Sequence, residues 1–229
     1  MIYWRENLNR QLQARAHLLD TVTDIIRVIS LDYITGIKTV VYYTRALRRA
    51  VVQFYNREID AIAFIGEMIR LIDEQMRRAW NEGMRANDLD PKRDMKPEWE
   101  AILESVIDGE YNRVLTFAED IERSQGGAGP IEPLLARVDL WVNRYNETVN
   151  LAIITTRPND HFIWRLGATE EHCSTCARLN GVVATAAEWQ ASGVRPQHPP
   201  NPYLECGGWR CDCRYQYTEE PVTRGGIPI

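Results

Sequence analysis

Cys173-Ser-Thr-Cys176 and Cys206-Gly-Gly-Trp-Arg-Cys211-Asp-Cys213 contain all five cysteines of this 229-residue chain. None occurs before Cys173, so the thiols act as a set. A Cys-x2-Cys hook aims two sulfurs at one point with a single tight turn, which suits a tetrahedral zinc ion. Cys206, Cys211 and Cys213 supply the other half, and Gly207-Gly208 let the backbone wrap closely around a metal. Five thiols compete for four places. The expected ligands of one structural Zn2+ are Cys173, Cys176 and Cys206 with either Cys211 or Cys213, and His172 and His198 stand in reserve. A closed all-sulfur site leaves no position for water, so the metal's expected contribution is to folding rather than to a reaction. A module of about sixty residues has little core of its own and depends on such a staple. Two disulfides, or a redox or catalytic thiol, are the competing uses of the same cysteines.

Catalytic patterns are otherwise scarce. A zinc deaminase needs His-x-Glu upstream of its cysteine hook, whereas His161 is followed by Phe162-Ile163 and His172 directly precedes Cys173. An HNH-type nuclease needs a histidine cluster, and only His161, His172 and His198 lie near the thiols. The sequence has no phosphate loop, no Gly-x-Ser-x-Gly and no His-Glu-x-x-His. The acid pairs Glu119-Asp120, Glu170-Glu171 and Glu219-Glu220 read as exposed charge.

The elements that position the thiols follow from periodicity. No proline precedes Pro91, which permits long helices. Ile37, Val40, Val41, Leu47, Val51 and Phe54 form one apolar stripe at helical spacing. Ile62, Ile65, Met68, Ile69, Ile72, Met76 and Ala79 form another. Residues 10–29 give a weaker stripe. Residues 88–96 read as a polar connection. Pro97 suits a helix N1 position, with Glu98 and Glu100 in the first turn. That helix carries Ile102, Val106, Val114, Leu115, Ala118 and Ile121, with a kink expected at Asp108-Gly109. Residues 124–129 form a linker, and from Ile131 to Ala152 comes the best helical pattern in the chain.

Beyond Asp160 the pattern changes. Residues 162–166 and 214–217 alternate as short strands, Asn180-Gly181 forms a hairpin-type turn, and Thr185 to Gln190 forms one or two helical turns. Pro196 to Pro202 is a rigid loop. The expected fold is mainly α: an elongated helical N-terminal body, then a small zinc-stabilised, turn-rich α+β module of zinc-ribbon-like kind. Its expected boundaries are a helical body at 1–125, a linker at 126–129, a connecting helix at 130–157 and the cysteine-rich module at 158–229.

Bulk composition narrows the function class. The chain is 45% hydrophobic and 26% charged, with a formal net charge of -5. That balance argues against a stand-alone, sequence-independent nucleic-acid binder, although Arg45, Arg48 and Arg49 form a local basic group that reads as a solvated helix face. The opening residues lack a secretory layout, and no stretch has the length and apolarity of a membrane span. A soluble protein made in a reducing cytoplasm is expected. There, clustered cysteines hold metal more often than they form disulfides. Trp164, Trp189, Trp209, Tyr203, Tyr215 and Tyr217 crowd the thiol module, either as its apolar covering or as anchors for a partner.

The order of these motifs resembles that of one family. Arg137-Val-Asp-Leu-Trp141 is followed by Trp164-Arg-Leu-Gly-Ala-Thr169, then Glu171-His-Cys-Ser-Thr-Cys176-Ala-Arg-Leu-Asn-Gly181, Trp189 and Glu205-Cys-Gly-Gly-Trp-Arg-Cys-Asp-Cys213. Over residues 137–217 this resembles the phage head-morphogenesis family, the minor head proteins similar to the F protein of phage Mu. Family members commonly end in His-Pro-x-Cys-Arg-Cys; here His198-Pro199 lies thirteen residues before Cys211, and Cys206 takes the place of the missing donor. The resemblance implies a structural virion protein without enzyme activity, made in the host cytoplasm. It would be present in several copies per virion, at the portal vertex or capsid interior. Its implied partners are the portal protein and the major capsid protein, with packaged double-stranded DNA contacted in some relatives and no membrane. The competing class is a zinc-ribbon nucleic-acid-binding protein or small nuclease.

Overall fold

The computed structural model describes residues 31–125, 129–168, 171–209 and 212–229, with 31–39 as backbone alone. The chain divides into two compact units, residues 1–42 and 43–229. Of the first unit only the opening turns of helix α1 (Leu31–Tyr55) are described. The apolar pattern of residues 10–29 and the side chain of Ile37 lie outside the described residues.

Within the second unit the rest of α1 is followed by α2 (Ala61–Ala86), the single turn α3 (Pro91–Asp94), α4 (Pro97–Ser124) and α5 (Glu132–Thr156). Local chemistry sets the helix starts. The Asp60 carboxylate accepts from Ala63 N–H at 2.8 Å, satisfying one of the unpaired donors at the head of α2. Pro97 opens α4 with Glu98 and Glu100 in its first turn, as the sequence predicts. The helix runs unbroken through Asp108-Gly109 to Ser124. Of the 126–129 linker only Gly129 is described, and its carbonyl accepts from Tyr55 Oη at 2.8 Å.

The helices bury a core that includes Leu47, Val51, Phe54, Phe64, Met68, Ile72, Trp80, Ile107, Val114, Phe117, Val138 and Trp141. This face is turned from the stripe that periodicity marks on α2. Met68, Ile72, Met76 and Ala79 are buried as expected, but Ile62 is 83% exposed, and Phe64, Leu71 and Trp80 take the central places. The larger aromatic area outweighs a few isoleucines: Phe64 stacks on Phe54 at 4.6 Å between ring centroids. Ile102 and Leu115 of α4 are likewise at the surface, displaced by Trp99, Leu103 and Phe117. Gly83 sets how closely α2 approaches α5. A Cβ there would lie 2.5 Å from the Val149 carbonyl oxygen and 2.6 Å from Ala152 Cβ.

Helix α5 does more than connect. Its first half packs into the helical core through Leu134, Val138 and Trp141, and near its end Ile154 belongs to a second core. That second core contains Phe162, Trp164, Leu179, Ala184, Trp189, Val194, Leu204 and Tyr215. It is built on a three-stranded antiparallel sheet ordered β2-β1-β3, with β1 at His161–Arg165, β2 at Val183–Thr185 and β3 at Arg214–Tyr217. Phe162 pairs with Ala184 on one side and Tyr217 on the other, and Trp164 pairs with Tyr215. The short helices α6 (Ser174–Leu179) and α7 (Ala186–Ser192) pack beside it. Thr185 and Glu188 form a capping box at the start of α7. The outer edge of β2 is covered by the C-terminal segment, where Val183 exchanges hydrogen bonds with Thr223. Among the described residues no helix is long and apolar enough to cross a membrane.

Candidate metal centre

The first hook opens α6. Cys173 is the N-cap residue in extended conformation, and its Sγ accepts from Cys176 N–H at 3.4 Å. An N-cap and the third residue of the helix project to the same side, so both sulfurs face one point. The chain then leaves the helix through Asn180 (φ -59°, ψ 122°) and Gly181 (φ 86°), while Val182 N–H donates to the Leu179 carbonyl at 2.9 Å. These angles describe a type II turn, in which the third residue needs positive φ and hence glycine. The Asn180-Gly181 turn therefore joins α6 to β2. It is not the strand-to-strand hairpin that the dipeptide suggests by itself.

The second hook is held by a wound loop. Leu204, Cys206 and Gly207 follow turns in which Gly207 N–H donates to the Leu204 carbonyl at 2.7 Å, and Trp209 N–H to the Cys206 carbonyl at 3.0 Å. Gly208 has φ 79°, and a Cβ on it would sit 2.7 Å from the His198 carbonyl oxygen, so the loop can close only with glycine there. Asn201, buried, anchors the loop through its side-chain amide to the Gly193 carbonyl at 3.1 Å. Gln197, also buried, donates to the Cys213 carbonyl at 2.9 Å.

These turns bring together the Sγ atoms of Cys173, Cys176 and Cys206, all within 4.8 Å of one another. The Cys176–Cys206 separation is 3.9 Å. Four sulfurs at about 2.3 Å from a central zinc define a tetrahedron of edge about 3.8 Å, whereas a disulfide needs about 2.05 Å. No disulfide joins Cys173, Cys176, Cys206 or Cys213. Of two disulfides drawn from five cysteines at least one would fall among these four, and the structure shows none there. Cys213 is buried in the same apolar cluster as Cys176, against which Cys173 and Cys206 also pack. Cys211, the other expected ligand of the second half, lies outside the described residues. Among the described residues no histidine joins the group.

The electrostatics favour thiolate. Burial pushes the Cys173 thiol up, but hydrogen bonds from Cys176 and Cys206 outweigh it and hold the group below its ordinary range. One residue ties the hooks together: Glu205 accepts from Ser174 O–H at 2.6 Å and Ser174 N–H at 2.8 Å. Those bonds keep its carboxyl below the usual range. Sequence reasoning missed Glu205. Its signals are its place directly before Cys206 and the serine inside the first hook.

His198, the reserve ligand, has another partner. Its Nδ1 pairs with Glu147 of α5, and Glu147 also takes Arg144 Nη1. Arg144 reaches on to Glu110 of α4 at 3.3 Å, and Glu110 takes Arg113 Nη1 at 2.6 Å. Glu147, Arg144 and Glu110 are buried. Burial pushes the Glu147 carboxyl up, yet His198 and Arg144 together hold it below the usual carboxylate range. This chain of charges fastens the loop preceding Cys206 to the helical core. The aromatics divide: Trp164, Trp189 and Tyr215 are core, with rings 5.4 to 5.8 Å apart, while Tyr203, Trp209 and Tyr217 are partly exposed.

The mainly helical fold and the converging thiols thus agree with the sequence. No family model, curated protein or solved structure matches the chain.

Proposed function

We propose that this chain is a structural minor head protein of a tailed phage or prophage, whose α+β module is clamped by one Zn2+ as in a zinc-ribbon-like domain. One observation carries the proposal: the thiols of Cys173, Cys176 and Cys206 converge, and they lie on the segments whose motifs resemble that family. The donor set fits zinc, since three sulfurs near a tetrahedral edge apart need only Cys213 or Cys211 to close the shell. Bound there, zinc would supply folding free energy and no reactive water. Cys173 and Cys176 would hold it from the helix start and Cys206 from the wound loop, with Glu205 fixing one hook against the other.

In this role the helical body docks on the portal protein or the major capsid protein, and the clamped module fixes the chain's end on the core or presents it to a partner. The test is a map of assembled heads together with a cleavage assay. The chain should appear at the portal vertex or capsid interior in several copies. Purified protein should leave double-stranded DNA intact at low salt with Zn2+ or Mg2+. Metal-dependent cutting that tracks the intact chain would instead establish the nuclease alternative.

A further inference from the structure

We propose that a cavity between α4, α5 and the Pro200–Trp209 loop docks an acidic peptide segment, taking one carboxylate and an adjacent apolar side chain. The cavity has a volume of about 410 Å³, within the range of ligand sites. Arg113, Arg137, Arg144, Trp141, Trp209 and Pro200 line it, and among the described residues no carboxylate does. The acids that pair with these arginines are not among its lining residues. Glu110 takes Arg113 Nη1 and Arg144 Nε, Glu147 takes Arg144 Nη1, and Asp120 takes Arg137 Nη1. Each guanidinium carries five N–H donors in a planar fork. Nη2 of all three arginines has no protein acceptor among the described residues. Arg144 matters most, because its side chain is only 9% exposed yet lines the cavity, and Glu110 and Glu147 hold its guanidinium in place for an incoming acceptor.

The choice of occupant follows from charge and size. Three arginines balanced by Glu110, Glu147 and Asp120 leave no surplus for a run of phosphates, and the chain is acidic overall. A single carboxylate received by an arginine fork needs directional donors rather than net charge, and these remain. Trp209, 40% exposed, and Trp141 line the cavity and offer apolar walls for the neighbouring side chain. The site depends neither on the identity of the metal nor on a virion role.

The test is a titration of the full chain, purified with its metal, followed by the indole N–H resonance of Trp209, assigned with Trp209→Phe. The probes are the capped peptide Ac-Leu-Glu-Phe-NH2, its Gln analogue and hexathymidylate. The Glu peptide should give a saturable shift, and the Gln peptide should bind at least about tenfold more weakly, as loss of a charged hydrogen bond requires. Arg113→Gln should weaken the Glu peptide similarly. Arg113→Lys, which keeps the charge without the fork, should also weaken it, guarding against a variant that misfolds. Absence of a shift at millimolar Glu peptide, an equal response to the Gln peptide, or tighter binding of hexathymidylate would each overturn the proposal.

Discussion

Glu147→Gln removes one charge from the buried chain that fastens the second hook to the helices, while keeping the side chain's shape. In the native protein Glu147 receives both His198 and Arg144. Without the charge, Glu110 at 3.3 Å is the one carboxylate left to Arg144 among the described residues, and Glu110 is shared with Arg113. Breaking a buried pair by neutralising one partner costs about 3 kcal/mol. For a chain of this size that corresponds to a fall in Tm of about 6 to 12 °C. The assay is thermal unfolding by circular dichroism at constant zinc, repeated from pH 7 to pH 3. The pH dependence has a definite sign. The folded-state pKa of Glu147 lies below the ordinary value of 4.5, so its contribution is complete above that value and is lost as pH falls through the folded pKa. The gap between the native protein and Glu147→Gln should therefore be widest near neutral pH and narrow below about pH 4.5. The double variant Arg144→Met, Glu147→Leu should recover much of the loss, because an apolar pair carries no desolvation penalty. A single variant within about 0.5 kcal/mol of native, or a gap that widens in acid, would refute the reasoning.

Three further outcomes follow. Ile62→Lys should change stability by no more than about 0.5 kcal/mol in urea unfolding, whereas Met68→Lys should unfold the helical core, because Ile62 is 83% exposed and Met68 fully buried. Gly83→Val should lower stability by about 1 to 3 kcal/mol through overpacking against Val149 and Ala152, and equal stability in urea would contradict the close crossing of α2 and α5. Cys206→Ser should release metal to a weak chelator and alter the fluorescence of the Trp164–Trp189 pair, while the helical circular dichroism signal largely persists.

Much of the fold was legible because it obeys local rules. Long apolar periods without proline gave the helices, and Pro97 with its acidic first turn marked a start correctly. The phase of α2 was not legible: Ile62, Ile65 and Ile69 form as good a stripe as Phe64, Met68 and Leu71 until tertiary partners are known. The partner of Phe64 is Phe54, ten positions away on another helix. Strand β2 was hidden because three residues, Val183–Thr185, carry too little pattern to register. At the site, Cys173, Cys176 and Cys206 were readable from residue type and spacing alone. Glu205 and the Glu147–His198 contact were not, since each joins residues 31 or 51 positions apart by loop closure. His198 illustrates the limit: a histidine near thiols in sequence is turned instead to a carboxylate on α5.

The central claim is that these thiols hold one structural zinc, and X-ray absorption at the zinc edge, combined with elemental analysis of the purified full chain, tests it most directly. The expected result is about one zinc per chain with four sulfur neighbours at about 2.3 Å. A chain from zinc-replete cells that contains no stoichiometric metal, or a zinc shell dominated by nitrogen and oxygen, would contradict it.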